Sequence, residues 1–518
     1  MKKAIPRIYF FLLVVALVIV ISYWFFRADK TPGLHGDEAW FGLEAIEYAE
    51  AGISSIHGMN SYTGNLQSVM AMLSFRLLGI SVFALRLPGI LINSLSLIMI
   101  VGYLLRHVSI KASLVFVLLY GQSIFYLTYA KVAWEVTSLS VLFTLFYCIS
   151  IHKAVTEQER TPLIWVFISL FCGLMGAYNH VIFSCVTFSI SVGLWIFYVY
   201  SGKKGGLPVI ILSTLSFGNF VLFFLFLNRV AWVKGDIGYV LFIVALIGAF
   251  IVQSWLFRHK IEYVTAINLR LSSAVRKAAI IIVAVLLLLG MNIFIYFHGW
   301  ALFNLVLGEK VFIRVFSSDV GLSFLMFSIA NALAFIVLLG GFLYWDLSKK
   351  RNMLFVLPLF CYLAIFPIYT LNASPRYYLS LLVVLMVYLA IKLAIVLEGS
   401  RYFGIVLAAL LAGFCISHGL VWSASFKTGG FQPKIFKFGR KGVENSAHFL
   451  PMWPIVDSLL TRNVGHFESS KSHFIMGPIS FYKYIYPELT TADGRVEIEY
   501  DFERKGTGFR VNIIESGR

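Results

Sequence analysis

The residues best suited to chemistry stand early in the chain, in the run His35-Gly36-Asp37-Glu38-Ala39-Trp40. Read as a helix that Asp37 caps and that runs to about Glu50, this stretch places Asp37, Trp40, Phe41, Glu44 and Tyr48 on one face, and Ala39, Gly42, Leu43 and Ile46 on the other. A carboxylate beside aromatic rings suits carbohydrate chemistry. The rings offer an apolar platform, and the carboxylate can take the proton of a hydroxyl as it attacks an anomeric carbon. The same residues also have plainer uses: an aspartate at a helix start caps it, an adjoining Glu38 favours the positive helix end, and Glu44, Glu47 and Glu50 suit a solvated face.

Further candidates are spread along the chain. Tyr62 opens the run Tyr62-Thr63-Gly64-Asn65-Leu66-Gln67, and Arg86 precedes Pro88, a proline able to start a helix. Arg86 and Arg376 each fit a positioning role or a side chain that snorkels to a membrane edge. Lys131 and Glu135 stand at i and i+4, where they can pair. Lys310 and Arg314, one helical turn apart, suit either a head-group anchor or the wall of a binding groove. His35, His57 and His180 stand singly, which is the pattern of structural histidines.

What must position these residues is a membrane-embedded helical scaffold. Hydrophobic residues make up 59% of the 518 and charged residues 13%, with mean hydropathy +0.85, a balance foreign to water-soluble domains. Apolar runs near 8–26, 88–105, 112–128, 136–152, 163–180, 182–200, 207–228, 237–256, 278–297, 321–344, 353–371, 377–397 and 402–422 give about 13 spans, helical because lipid leaves no open backbone group satisfied. The first run is long for a signal peptide and exits through Tyr23-Trp24-Phe25-Phe26, so it reads as a retained span. Basic residues gather in alternate loops, among them Lys2, Lys3, Arg7, Arg106, Lys111, Lys203, Lys204, Lys349, Lys350 and Arg351, which puts the N-terminus in the cytoplasm and residues 27–87 outside. That sorting, with a basic tail, accounts for most of the net charge of +17, and nucleic-acid binding needs no place. The five cysteines all lie in apolar runs and form no disulfide or metal spacing. No span carries an acid near its middle, as the spans of a coupled transporter or lipid flippase commonly do.

Two short patterns then carry a resemblance. Gly36-Asp37-Glu38 after the first span, with Leu78-Gly79 and Phe83-Ala84-Leu85-Arg86-Leu87-Pro88 some forty residues on, resembles the GT-C superfamily of membrane glycosyltransferases, nearest the branch of protein O-mannosyltransferases and the lipid A aminoarabinose transferase. Asn372-Ala373-Ser374-Pro375-Arg376-Tyr377-Tyr378 resembles the Arg-Tyr signature of that branch. The likeness implies inverting transfer from a polyprenyl-phosphate sugar, with Asp37 as base, Glu38 as a second acid, and Arg376, Tyr377 and Lys131 near the donor phosphate. It also implies a substrate groove along Trp40, Glu44, Tyr62, Arg86, Lys310 and Arg314. Lysine at 131 departs from the usual family residue. Asn65-Leu66-Gln67 stands where relatives carry a proline-rich stretch, with no close histidine or carboxylate cluster to hold a metal there. No cofactor is expected.

The expected fold class is thus an all-α polytopic membrane protein, GT-C-like, with a small α/β extracytoplasmic C-terminal domain. Residues 1–422 form the transmembrane domain, including the outer loop 27–87 and a juxtamembrane helix at 298–320; residues 423–518 form the C-terminal domain. There the alternation Arg495 to Phe502, the turn Lys505-Gly506-Thr507-Gly508 and the run Phe509 to Ile513 predict a β-hairpin. The expected partners are a polyprenyl-phosphate sugar, an envelope glycan or glycolipid acceptor of O-antigen or lipid A type, and membrane lipids, at a bacterial inner membrane with the C-terminal domain in the periplasm or beyond the cell. A transporter or flippase of lipid-linked sugars, or a glycan polymerase or ligase, is the rival reading.

Overall fold

The computed structural model describes residues 7–60, 63–156, 163–201, 337–346, 356–363, 375–399, most of 402–416, 452–461, 464–469, 472–491, 494–500 and 511–515. Tyr62, Lys310, Arg314, the stretch 298–320 and the expected spans 207–228, 237–256 and 278–297 lie outside the described residues.

The described part is mainly helical. Three helices are long and apolar enough to cross a membrane: α1 (Arg7–Phe25), α4 (Val82–His107) and, late in the chain, Leu379–Gly399. Between them run α2 (Gly36–Ala51), α3 (Leu66–Leu78), α5 (Ile110–Gln122), α6 (Ile124–Tyr129), α7 (Leu139–Thr156), α8 (Leu163–Asn179) and α9 (Phe183–Ser201), so that Leu379–Gly399 becomes α10. Helix α7 packs on α8, and α5 packs between α1, α4 and α10. Trp24, Phe116, Tyr120, Tyr126 and Leu382 are buried in that core, while Phe11, Leu91, Leu95 and Ile98 face outward. An apolar outer surface on long helices is what a lipid surround requires.

Two of the expected spans have different limits. Helix α4 starts at Val82 rather than Pro88, because Ser81 caps it through Ala84 N–H at 3.1 Å. Pro88 has no N–H for the Ala84 carbonyl, which instead accepts the Ser74 hydroxyl at 2.6 Å and so binds α3 to α4. The run expected as one span over 112–128 is broken at Ser123 into α5 and α6.

A buried ion pair organises the loop between α1 and α4. Arg86 and Glu38 are both fully buried, and the guanidinium meets the carboxylate on two prongs, Nε to Oε1 and Nη2 to Oε2, each at 2.7 Å. Its remaining N–H groups reach the carbonyls of Ala28 (2.8 Å), Pro32 (2.7 Å) and Gly33 (3.2 Å), so all five donors are used. Glu38 also accepts from Ala133 N–H at 2.9 Å and His35 N–H at 3.3 Å. Arg86 is therefore neither a snorkelling residue nor a groove wall.

Beyond this anchor, α2 and α3 each stop at a glycine with positive φ, Gly52 (86°) and Gly79 (78°). A polar network holds the intervening loop. Tyr48 O–H lies 2.9 Å from Glu44 and 3.1 Å from the Ser55 carbonyl, Ser68 O–H donates to Glu44, and Tyr178 O–H meets Asn65 Oδ1 at 2.8 Å. Burial pushes the Glu44 carboxyl up to about 7, against the pull of the Ser68 and Tyr48 hydrogen bonds and with a push from Glu47. The face of α2 expected to lie open is largely covered, since Phe41 and Tyr48 are buried while Glu47 and Glu50 take the solvent side.

The opposite face of α2 is also covered, by the C-terminal segment. Helices α11 (Met452–Thr461), α12 (Ser472–Ile485) and α13 (Glu488–Thr491) accompany strands β1 (Val464–Ser469), β2 (Gly494–Tyr500) and β3 (Val511–Glu515). β1 pairs with β2 in parallel, and β2 pairs with β3 antiparallel with Ile498 opposite Ile513. Ile455, Leu459, Ile479 and Phe481 join Ala39, Ile46, Phe75 and Leu85 in one apolar cluster. At Gly42 the Phe481 ring takes the place of a side chain: a Cβ there would stand 2.5 Å from it.

Two outcomes are expected. Arg86→Lys offers three donors where five acceptors wait, so at least two of them go unserved. Truncating a buried pair costs about 3–5 kcal/mol, so this variant should melt well below the wild type in detergent. Between pH 4.5 and about 7 the folded protein holds a proton on Glu44 that the unfolded chain has released, so stability falls as pH rises through that window. Thermal melts across pH should show that slope, and Glu44→Gln should reduce it, leaving the share of Glu135, whose carboxyl is raised to about 7 as well.

Candidate active site

The site forms where the start of α2 meets the start of α10. Asp37 is not the cap of α2. That place belongs to His35, whose Nδ1 accepts Asp37 N–H at 3.0 Å while Glu38 reaches back to His35 N–H, a reciprocal capping box. The Asp37 side chain is thereby spared the capping role. Its Oδ2 receives Arg376 Nη1 at 2.5 Å, across 339 residues of sequence.

Arg376 lies in a 3-10 turn, Pro375–Tyr378, that leads into α10. Its guanidinium carbon stands 4.8 Å from the Trp134 ring centre and 5.1 Å from that of Tyr377, and Nη2 reaches the Tyr377 hydroxyl at 3.2 Å. The aromatic faces favour a planar cation between them. Burial opposes its charge, but Tyr377, Asp37 and Glu135 outweigh that and hold it ionised. Its Nε is buried and has no partner among the described residues.

A second acid and two histidines complete the cluster. Glu135 is 8% exposed, with its carboxylate 3.9 Å from His180 Nε2. Burial raises its carboxyl to about 7, against the pull of Arg376 and with a push from Asp37. His180 Nδ1 accepts Ile182 N–H at 3.0 Å, so the ring proton that faces Glu135 is the one on Nε2. His35 packs edge-on to Trp134, ring centres 4.7 Å apart. The result is one guanidinium facing two carboxyl groups, Asp37 and the neutral-range Glu135, with one of its donors, Nε, unfilled among the described residues. Such a set can take up an oxyanion and accept a proton at neighbouring points.

The structure brings Asp37, Arg376 and Tyr377 together and separates the other candidates. Glu38 is one residue from Asp37 but fully buried and committed to Arg86. Lys131 is also fully buried; its ammonium donates to the Phe26 carbonyl at 2.7 Å, over the Tyr23 ring. Burial and the nearby Arg86 lower it to about 7, with Asp29 opposing. The segment 130–138 is not helical, so Lys131 and Glu135 do not meet as helical i, i+4 neighbours. Trp40 is half-buried one turn beyond Asp37 and edge-on to Phe41, and Glu44 belongs to the loop network. Trp134, Glu135, His180 and His35 were not assigned roles from sequence. The Trp134-Glu135 dipeptide in an outer span end was the available signal. Among the described residues no group of three or more His, Cys, Asp or Glu side chains is placed to hold a metal ion.

No protein-family model matches the chain, and no curated sequence does. Solved structures do. The archaeal oligosaccharyltransferase AglB of Archaeoglobus fulgidus, in complex with an inhibitory peptide and a dolichol-phosphate, superposes with TM-score 0.51 at 12% identity, over 95% of this chain and 69% of that one. Its apo form gives TM-score 0.53 at 11% identity, over 93% and 64%. The chain thus spans about two thirds of the length of those oligosaccharyltransferases. ArnT of Cupriavidus metallidurans bound to undecaprenyl phosphate aligns over 94% of this chain and 93% of its own, with TM-score 0.44 and 10% identity. With its apolar helices and the two AglB superpositions, this membrane protein has the fold of the archaeal oligosaccharyltransferase AglB.

Proposed function

We propose that the chain transfers a sugar from a polyprenyl-phosphate donor to a hydroxyl of an envelope glycan or glycolipid, on the extracytoplasmic side of the membrane. The observation that carries this reading is the Asp37–Arg376 contact, which sets a carboxylate and a phosphate-type cation at one point on the helical scaffold. The dolichol-phosphate bound by the AglB structure that shares the fold is a ligand of the same chemistry.

In this reading Arg376, backed by Tyr377, holds the donor phosphate. Asp37 takes the proton of the acceptor hydroxyl as its oxygen attacks the anomeric carbon. The bond from that carbon to the phosphate oxygen breaks, its electron pair leaves with the lipid phosphate, and attack from the opposite face inverts the centre. Glu38 and Arg86 position Asp37 without meeting substrate. Glu135, near neutrality, faces His180 and shares the Arg376 charge with Asp37. Lys131, tied to the Phe26 carbonyl, braces the exit of α1. The full architecture in this proposal has about 13 spans over residues 1–422, a cytoplasmic N-terminus, and an extracytoplasmic domain over residues 423–518 that backs α2. The acceptor is of lipid A or O-antigen type, and the membrane is a bacterial inner membrane.

The test is to incubate purified protein with a panel of polyprenyl-phosphate sugars and extracted envelope lipids and to analyse the products by mass. Asp37→Asn is expected to fold normally and to lose transfer by about 10²–10⁴-fold, the usual range for removing a general base. Transfer at wild-type rate in that variant rejects the assignment.

A further inference from the structure

We propose that Asp37 and the donor phosphate compete for the single charge of Arg376, so that donor binding is what releases the base. This rests on the reading of Asp37 and Arg376 just given and adds an order of events to it. Asp37 Oδ2 is held by Arg376 Nη1 at 2.5 Å. An arginine so close stabilises the ionised carboxylate and so weakens its pull on the proton of a hydroxyl. The base is therefore held in check, as by a latch, while Arg376 serves it alone.

The guanidinium itself shows where a phosphate would enter. Nη1 serves Asp37, whereas the edge formed by Nε and Nη2 has a buried Nε with no partner among the described residues and an Nη2 that holds the Tyr377 hydroxyl at 3.2 Å. That edge is the one a carboxylate or phosphate grips on two prongs, as Glu38 grips Arg86 elsewhere in this protein. Arg376 and Asp37 have side chains only 15% and 11% exposed, so water screens little of the repulsion that a phosphate and Asp37 would feel across one cation. Glu135 faces the same guanidinium and adds to the negative side. One arginine cannot neutralise all of them. When phosphate takes the Nε–Nη2 edge, Arg376 shifts toward it, the hold on Asp37 weakens, and the carboxylate can accept the proton of the acceptor hydroxyl.

The consequence is measurable without turnover. Binding of undecaprenyl phosphate to the purified full chain is compared between wild type, Asp37→Asn and Arg376→Lys, with uncharged undecaprenol and inorganic phosphate as further probes. Removing the competing carboxylate should tighten undecaprenyl phosphate binding by about tenfold. Arg376→Lys should weaken it by at least about tenfold, since an ammonium cannot offer the two-pronged edge. Undecaprenol should bind all three proteins alike. Inorganic phosphate should follow the same order as the lipid phosphate if the head group alone is read; if only the lipid phosphate follows it, the competition requires the membrane-bound donor. Equal or weaker lipid phosphate binding by Asp37→Asn, at an unchanged melting temperature, overturns the latch. A parallel gain for undecaprenol overturns it too. Should Asp37→Asn fail to fold, Asp37→Ser takes its place in the same comparison. Loss of transfer with unchanged phosphate affinity removes the latch but keeps Asp37 as base, whereas retained transfer removes the base itself.

Discussion

The Glu38–Arg86 pair is the constraint on which the site depends. It is fully buried, and it gathers the linker carbonyls of Ala28, Pro32 and Gly33, the first turn of α2, the second turn of α4 and the backbone of Ala133 around one guanidinium. Such a pair need not add net stability over an apolar core, because taking two charges out of water costs about as much as their attraction returns. What it gives is geometry. With Glu38 held on this side of α2, the neighbouring Asp37 is turned roughly a quarter of the way around the helix, toward the start of α10.

A second chain of contacts fixes the other half. His35 caps α2 and leans on Trp134, whose ring lies under the Arg376 guanidinium. Because Ala133 binds Glu38 and Trp134 supports Arg376, two adjacent residues of one short non-helical segment couple the anchor to the site. The break in helix between α6 and α7 is what allows this, since successive side chains and amides there can serve opposite directions.

How much of this was legible in the sequence follows from the range of each interaction. The first span, the α2 segment and the α8, α9 and α10 limits came from apolar runs and local turn residues. The choice of Asp37 and Arg376 came from a recognised pattern, and neither periodicity nor composition could have shown that residues 339 apart would touch. Local rules misplaced the cap, because a histidine is an uncommon cap and an aspartate a common one. They also read Arg86 as a membrane-edge residue: nothing nearby reveals that five acceptor atoms await it, all on four residues 48 to 58 positions earlier, three of them backbone carbonyls and two the oxygens of a single glutamate. Glu135 and His180 escaped assignment for the same reason, as each looks ordinary until the fold sets them beside a charged arginine.

The packing around α2 also decides which partner in the site can move. One face of that helix is filled by Phe41 and Tyr48, the other by α12, where Gly42 leaves no space even for a methyl group against Phe481. Lys30 lies over the Trp453 ring at 5.0 Å and ties the linker to the same C-terminal segment. A helix clamped on both faces, with its neighbouring Glu38 locked in a two-pronged pair, holds the Asp37 backbone in place. Arg376, by contrast, is a long side chain on a short 3-10 turn, held by ring faces that tolerate sliding and by a weak bond to a hydroxyl. Any adjustment between the two charges therefore falls mainly to the arginine, and the C-terminal segment, remote from the reacting groups in sequence, acts on the site by keeping the carboxylate still.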